Sequence, residues 1–451
     1  MKGSGMRMHS EYYLTQESPF RALLIFSFPM MMGNLFQQFY TMTDSIIVGR
    51  FIGEAALAAV GASAALSAVF IAIAVGGGAG AMVITSNAFG RKDFTLVKES
   101  ISTSLISFCI LSVVLAAAGY AFSDRIMGLL NTPENIKSDA VLYLRIYFLG
   151  LPFLFMYNII SSVFNSLGKS RIPLFLLIFS SLLNIVLDIA AVTALGMGIA
   201  GAAWATLISQ ALSAVLSFII LTKTLKIMDG RRKRLFSSSI FSSMTKIALP
   251  SIIQQTTINF GMMLVQSVVN TFGSEVLAGY SASIRIDNIV TVPLSAVGNA
   301  MSPYTAQNSG AGKNERIDTG WKSALAIILS FSILICIILQ TFNTEIISLF
   351  LGADGSAAAY RTGEEYLSYL GWFYGILGFA FVTGGVLRGM GKMASFTAAS
   401  IANLSLRVIG AMVFAPLYGV EIVWYVVPLG WILYFSICYV SYRRLSSPFR
   451  S

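Results

Sequence analysis

The chain has 451 residues, of which 56% are hydrophobic and only 11% charged, with a mean hydropathy of +0.76. Soluble domains carry about 25% charged residues. The composition therefore excludes an ordinary cytosolic enzyme, a disordered chain and a secreted disulfide scaffold, and calls for a polytopic membrane protein.

The first 21 residues are polar and charged, so no cleaved signal peptide is expected. They contain His9, the single histidine, which excludes a multi-histidine metal site and argues against a Ser-His-Asp triad. Runs without Asp, Glu, Lys or Arg then locate the helices. In the first half they cover residues 22–43, 55–90, 100–123, 146–168, 172–187 and 189–222. In the second they cover 247–274, 288–312, 323–344, 366–387, 393–406 and 422–442. A spanning helix needs about 20 such residues. Asp188 interrupts one apolar segment and Arg407 another, and a Gly196-Met197-Gly198 turn divides the run 189–222 between two helices. The expectation is an all-α polytopic membrane protein with twelve transmembrane helices. Continuous apolar runs without alternation argue against a strand barrel.

Lysine and arginine set the orientation. With the N-terminus in the cytoplasm, 23 of the 30 basic residues fall in inner segments and five in outer ones, with Arg285 and Arg407 inside spans. The net charge of +10 is thus a property of cytoplasmic loops and implies no nucleic-acid partner. The longest basic loop centres on Arg231-Arg232-Lys233-Arg234. The expected layout is a cytoplasmic tail over 1–21, a six-helix lobe over 22–222, a basic linker over 223–245, a second six-helix lobe over 246–442 and a cytoplasmic tail over 443–451. The cysteines Cys109, Cys336 and Cys438 sit in apolar runs and are expected as buried free thiols.

The two halves repeat. FSFPMMMGNLFQQ (26–38) matches IALPSIIQQTTIN (247–259), placing Pro29 on Pro250. LAAVGAS (57–63) matches LAGYSAS (277–283) at an offset of 220, and Gly168-Lys169 matches Gly391-Lys392 at 223. Six helices return the chain to its starting side, so the lobes are parallel repeats suited to alternating access. The glycine run Gly76 to Gly80 lies inside a span and lacks a following Lys-Ser/Thr, so it reads as close helix packing and not as a phosphate loop.

These features resemble the multidrug and toxic compound extrusion (MATE) transporters. The resemblance rests on Pro29, TMTDSIIVGRFIGEAALAAVG (41–61), FGRKD (89–93) with its counterpart QNSGAGKNE (307–315), and NSLGKSRIP (165–173) with GVLRGMGK (385–392). It extends from about residue 20 to 445. It implies a two-lobed exporter of amphipathic, mostly cationic compounds, coupled to inward flow of H⁺ or Na⁺ and closer to the DinF-like and archaeal branch than to the NorM-like one.

A carboxylate within a span costs roughly 2.5–3.5 kcal/mol on insertion scales, so each one is a functional candidate. Counted from the outer ends, Asp44 lies roughly 9 Å deep and Asp188 roughly 12 Å. Asn184 is one turn from Asp188 on the same face, and Thr206 in the sixth helix is also roughly 12 Å down. Two carboxylates, an amide and a hydroxyl at similar depth suit a hard cation or a shared proton. The resemblance assigns the same four residues to ion coupling, with Na⁺ as the candidate metal, and matches Pro29 to a proline at which the first helix bends.

The second lobe differs. The repeat puts Arg407 where the first lobe has Asn184, and Ala411 where it has Asp188. Gln254 and Gln255 stand where the NorM-like branch carries an acid. Arg285, Asp287 and Arg407 lie at roughly 9, 12 and 15 Å. Arg285 and Asp287 are two residues apart and do not share a helix face, so Asp287 is expected to face Arg407 or a hydroxyl. An anionic group on a substrate is the functional alternative for the arginines. Gln37, Tyr40, Asn158, Gln254, Gln255 and Asn259, together with these charged residues, are the candidate cavity lining, and an aromatic ring one turn from Asp44 suits organic cations. The expected protein is not an enzyme. It uses no cofactor and no ATP, works as a monomer among membrane lipids, and exports small organic molecules across the cell membrane. A flippase of lipid-linked oligosaccharides or other anionic precursors is the alternative.

Overall fold

A computed structural model of the chain describes residues 12–352 and 355–446. His9 and the outermost part of each tail lie outside the described residues, among which there is no strand. Twelve long helical stretches follow one another: α1 Pro19–Ile47, α2 Glu54–Gly90, α3 Phe94–Leu129, α4 Glu134–Ser166, α5 Arg171–Ile189, α6 Gly198–Ile227 and α7 Ser238–Val269. Then come α8 in two segments, Ser274–Val290 and Val292–Gly310, α9 Asn314–Thr341, α10 in two segments, Ala357–Gly371 and Tyr374–Gly389, α11 Met393–Ile409 and α12 Ile422–Ser446.

Among the described residues nine helices are long and apolar enough to cross a membrane, ten when the two parts of α10, bent by 56°, count as one span. The remaining two of the expected twelve are α7 and α8. Their polar content is the reason they fall short. Gln254, Gln255, Thr256, Thr257, Asn259 and Gln266 interrupt α7, and α8 breaks at Thr291 and carries Arg285, Asp287 and Asn288.

The helices form two compact units. One runs over Met32–Ile252; the other joins the described part of 1–31 to 253–446. The divisions fall inside α1 and inside α7 and not in the basic linker. Each comes two residues after a helix-interior proline, Pro29 or Pro250. The glycine run of α2 explains why the start of α7 belongs to the first of these units. A Cβ on Gly76 would meet the Ile252 backbone nitrogen at 2.8 Å, and one on Gly80 the Met244 carbonyl at 2.5 Å. Only glycine lets the two backbones approach this closely. In the other unit Gly385 does the same against the Gly298 carbonyl, joining α10 to α8.

There too, the turn Tyr13–Gln16 is tied down before α1 begins. Asn308 Nδ2 donates to the Leu14 carbonyl at 3.0 Å, Lys313 Nζ to Thr15 at 2.9 Å and Arg316 to Glu17 at 2.6 Å.

The sequence repeat recurs in the backbone. Gly53 and Gly273, 220 apart, open α2 and α8 at φ 118° and 99°, a conformation that a side chain would strain. Wider i→i+5 turns close α1, α5 and α11 at Val48–Ile52, Ala190–Ala194 and Gly410–Phe414. The last two are also 220 residues apart. The thiols are all free, but only Cys438 is buried; Cys336 is half-buried and Cys109 exposed. Cys109 belongs to the outward apolar face of α3 with Ile110, Val113 and Val114, the kind of surface that faces lipid.

Candidate functional site

In the unit Met32–Ile252, three helices converge on one polar cluster. Asp44 comes from the last turn of α1, Asn184 and Asp188 from the end of α5, and Thr206 from the third turn of α6. Both carboxylates stand within a few residues of an i→i+5 turn, closed by Gly53 N to Val48 O at 3.2 Å in one case and Leu195 N to Ala190 O at 3.1 Å in the other. Such turns widen a helix locally and recur at functional sites. Asp188 and Asn184 are fully buried and Asp44 is half-buried. Asp44 and Asp188 lie within hydrogen-bonding reach of each other.

Around the pair, Asn184 Nδ2 donates to Thr206 Oγ1 at 3.4 Å, and that hydroxyl donates back to the Ala202 carbonyl at 3.0 Å. Tyr40 reaches Thr206 and neighbours both carboxylates. Both oxygens of Asp188 and the amide oxygen of Asn184 are buried without a hydrogen-bond donor. A buried acceptor left unmet is costly, and two facing carboxylates cannot satisfy each other unless a proton or a cation joins them. Among the described residues no group of three or more His, Cys, Asp and Glu side chains gathers in metal-binding geometry. The oxygens available to a cation are thus two carboxylates, one amide and one hydroxyl, a donor set that fits a hard monovalent ion.

The structure adds two residues here. Tyr143 of α4 neighbours Asp44, Asp188 and Tyr147, and the Tyr147 hydroxyl donates to the Ser67 carbonyl at 3.4 Å. The other lining candidates of this unit lie apart from the cluster's bonds. Gln37 is exposed on α1, and Asn158 Nδ2 donates to its own helix at Leu154 O, 2.8 Å. Pro29 interrupts α1 before the chain enters this unit.

The other unit has a different cluster. The Tyr374 hydroxyl donates to Asp287 Oδ1 at 2.6 Å, which answers the choice between Arg407 and a hydroxyl. Among the described residues no ion pair within 4.0 Å joins Asp287 to Arg407. Arg407 donates only to Met262 Sδ, at 3.5 Å, and its Nε is buried without a partner. Tyr280 and Tyr366 complete the surroundings of Asp287 and Arg407. Arg285 is exposed. Gln254 Nε2 donates to Ser400 Oγ at 2.6 Å, Gln255 is exposed and Asn259 half-buried.

A family model described as MatE matches this chain twice, over residues 29–190 and 250–413, so that the matches begin at Pro29 and Pro250. The chain belongs to the MatE family. As a MATE transporter it is 32% identical over 384 residues to the probable multidrug resistance protein YpnP of Bacillus subtilis, covering 85% of each chain. It is 23% identical over 448 residues to an FAD transporter of Shewanella oneidensis, covering 96% of each. A solved MOP-superfamily transporter from Pyrococcus furiosus shares the fold at a TM-score of 0.90 and 23% identity, over 98% of this chain and 99% of that one. MATE membership bears out the helical, duplicated membrane fold, and these relatives do not favour the lipid-linked oligosaccharide flippase.

Proposed function

We propose that this MATE protein is a secondary antiporter that exports amphipathic, cationic organic molecules by alternating access, driven by H⁺ or Na⁺ entering at Asp44, Asn184, Asp188 and Thr206. The observation that supports this reading is buried Asp188, both of whose oxygens lack a donor, facing half-buried Asp44. Seating a proton or Na⁺ there removes negative charge from the unit. An organic cation attracted to the empty pair then loses affinity, so ion and cargo favour different states, which is the requirement for coupling. Tyr40 and Tyr143 offer rings to the same cation. On this reading the protein is a monomer in the cell membrane with both termini cytoplasmic, and Pro29 lets α1 bend between states.

The test is efflux of a fluorescent cation from proteoliposomes, with the Na⁺ and pH gradients imposed separately on the wild type and on Asp44→Asn. One gradient drives the wild type and neither drives the variant. Undiminished gradient-driven efflux by the variant overturns the proposal.

Arg407 favours a second substrate class. A guanidinium with a buried, unpartnered Nε beside tyrosine rings suits the carboxylate or phosphate of an aromatic anion. Arg407→Gln should then impair export of an aromatic anion such as FAD and spare the cationic dye; equal loss of both would assign Arg407 to stability.

A further inference from the structure

The basic linker follows α6, a helix long and apolar enough to cross a membrane, so it lies near the level where chain leaves the bilayer. Its backbone is clamped. Lys98 Nζ donates to the carbonyls of Met228 and Gly230, both at 2.8 Å. Glu99 Oε1 accepts from the backbone N–H groups of Lys233 and Arg234 at 3.1 and 3.2 Å, and Thr103 Oγ1 accepts from Ser237 N at 3.1 Å. The clamp is made wholly through linker backbone. The side chains of Arg231, Arg232, Lys233 and Arg234 stay exposed, and among the described residues none of them is in an ion pair.

Apolar side chains are exposed beside these cations. Leu235 and Phe236 follow them directly, and the Phe236 ring lies 5.8 Å from that of Phe241 on α7. Phe241 begins a groove of about 420 Å³ along one face of α7, lined by Ser242, Thr245, Lys246, Leu249 and Pro250. The wall is mainly apolar, and Lys246, which lines it, is exposed.

We infer that this surface is a site for an anionic glycerophospholipid, its phosphate among Arg231, Arg232, Lys233 and Arg234 and one acyl chain in the groove of α7. The chemistry matches on both counts. Clustered basic residues next to a spanning helix attract anionic headgroups, and exposed aromatic and aliphatic side chains among them enter the interfacial layer. A fixed backbone holds the cations ready, so little ordering is lost on binding. The groove ends at Pro250, where α7 lacks a backbone hydrogen bond, so the acyl chain packs against the bendable part of that helix. The inference is independent of how transport is driven.

Native mass spectrometry of the full chain in detergent tests it, with dioleoyl phosphatidylglycerol and dioleoyl phosphatidylcholine offered in equal amounts. The wild type should retain phosphatidylglycerol in preference, and high salt should weaken that preference. The combined variant Arg231→Gln, Arg232→Gln, Lys233→Gln, Arg234→Gln should lose the preference, by about fivefold for each cation removed, while still binding phosphatidylcholine. Thr245→Trp, which fills the groove, should weaken retention of both lipids. A wild type without preference overturns the inference, as does a charge variant that keeps the preference.

Discussion

The two units carry polar clusters on the same backbone plan and with different chemistry. In one, α5 supplies Asn184 and Asp188 just before the turn Ala190–Ala194. In the other, α11 supplies Arg407 just before the turn Gly410–Phe414. The first cluster leaves carboxylate oxygens without donors. The second gives its carboxylate, Asp287, a tyrosine donor at 2.6 Å and leaves a guanidinium nitrogen unmet. Duplication thus preserved the widened helix ends and the glycines that allow close packing, while the second unit holds a guanidinium as well as a carboxylate. The lesson is that helix geometry and ion chemistry vary separately in such a fold: the same widened turn follows a carboxylate in one unit and a guanidinium in the other.

The comparison can be broken most decisively at Asp188. Asp188→Asn should lower gradient-driven export by about tenfold or more, the scale of a lost coupling, measured as initial efflux rate in proteoliposomes. Export at the wild-type rate would mean that the two clusters do not differ in role. Next in size is packing. Gly385→Ala sets a methyl against the Gly298 carbonyl and should cost about 1–3 kcal/mol, read as a lower melting midpoint in detergent. Asp287 of the second cluster, which already has a donor, should answer in stability before transport. Tyr374→Phe removes the donor to Asp287 and should cost about 1–2 kcal/mol, with cation export changed less than export by the Asp188 variant. The smallest effect belongs to Thr206→Val. It removes the hydroxyl shared by Asn184 and the Ala202 carbonyl, and should slow export about two- to threefold.

Much of the first cluster was legible in the sequence because charge inside an apolar run stands out. Depth and helical spacing place Asp44, Asn184, Asp188 and Thr206 at one level, and the family resemblance assigns them a common role. Tyr143 was not, because Arg145 ends the uncharged run and seemed to put Tyr143 outside the span. In the structure α4 runs on past it: Arg145 Nε donates to Ser123 Oγ at 3.0 Å and the guanidinium lies 5.6 Å from the Tyr120 ring. Spacing could say that Arg285 does not pair with Asp287, but could not choose the partner, since Tyr374 lies 87 residues away. The pattern of apolar runs also missed where the units divide. That depends on which backbones glycine allows together, and the sequence shows Gly76 and Gly80 without showing that residues of α7 fill the space they leave.

The divisions inside α1 and α7 bear on how the protein is made. The unit Met32–Ile252 is complete only after synthesis has passed the linker and added the start of α7, whereas residues 12–31 emerge first and must wait for the chain from 253 onward. Neither unit is drawn wholly from one half of the chain. A chain cut within 223–245 would therefore give two fragments, each holding a piece of the other's unit, and only their joint presence in one membrane could restore both.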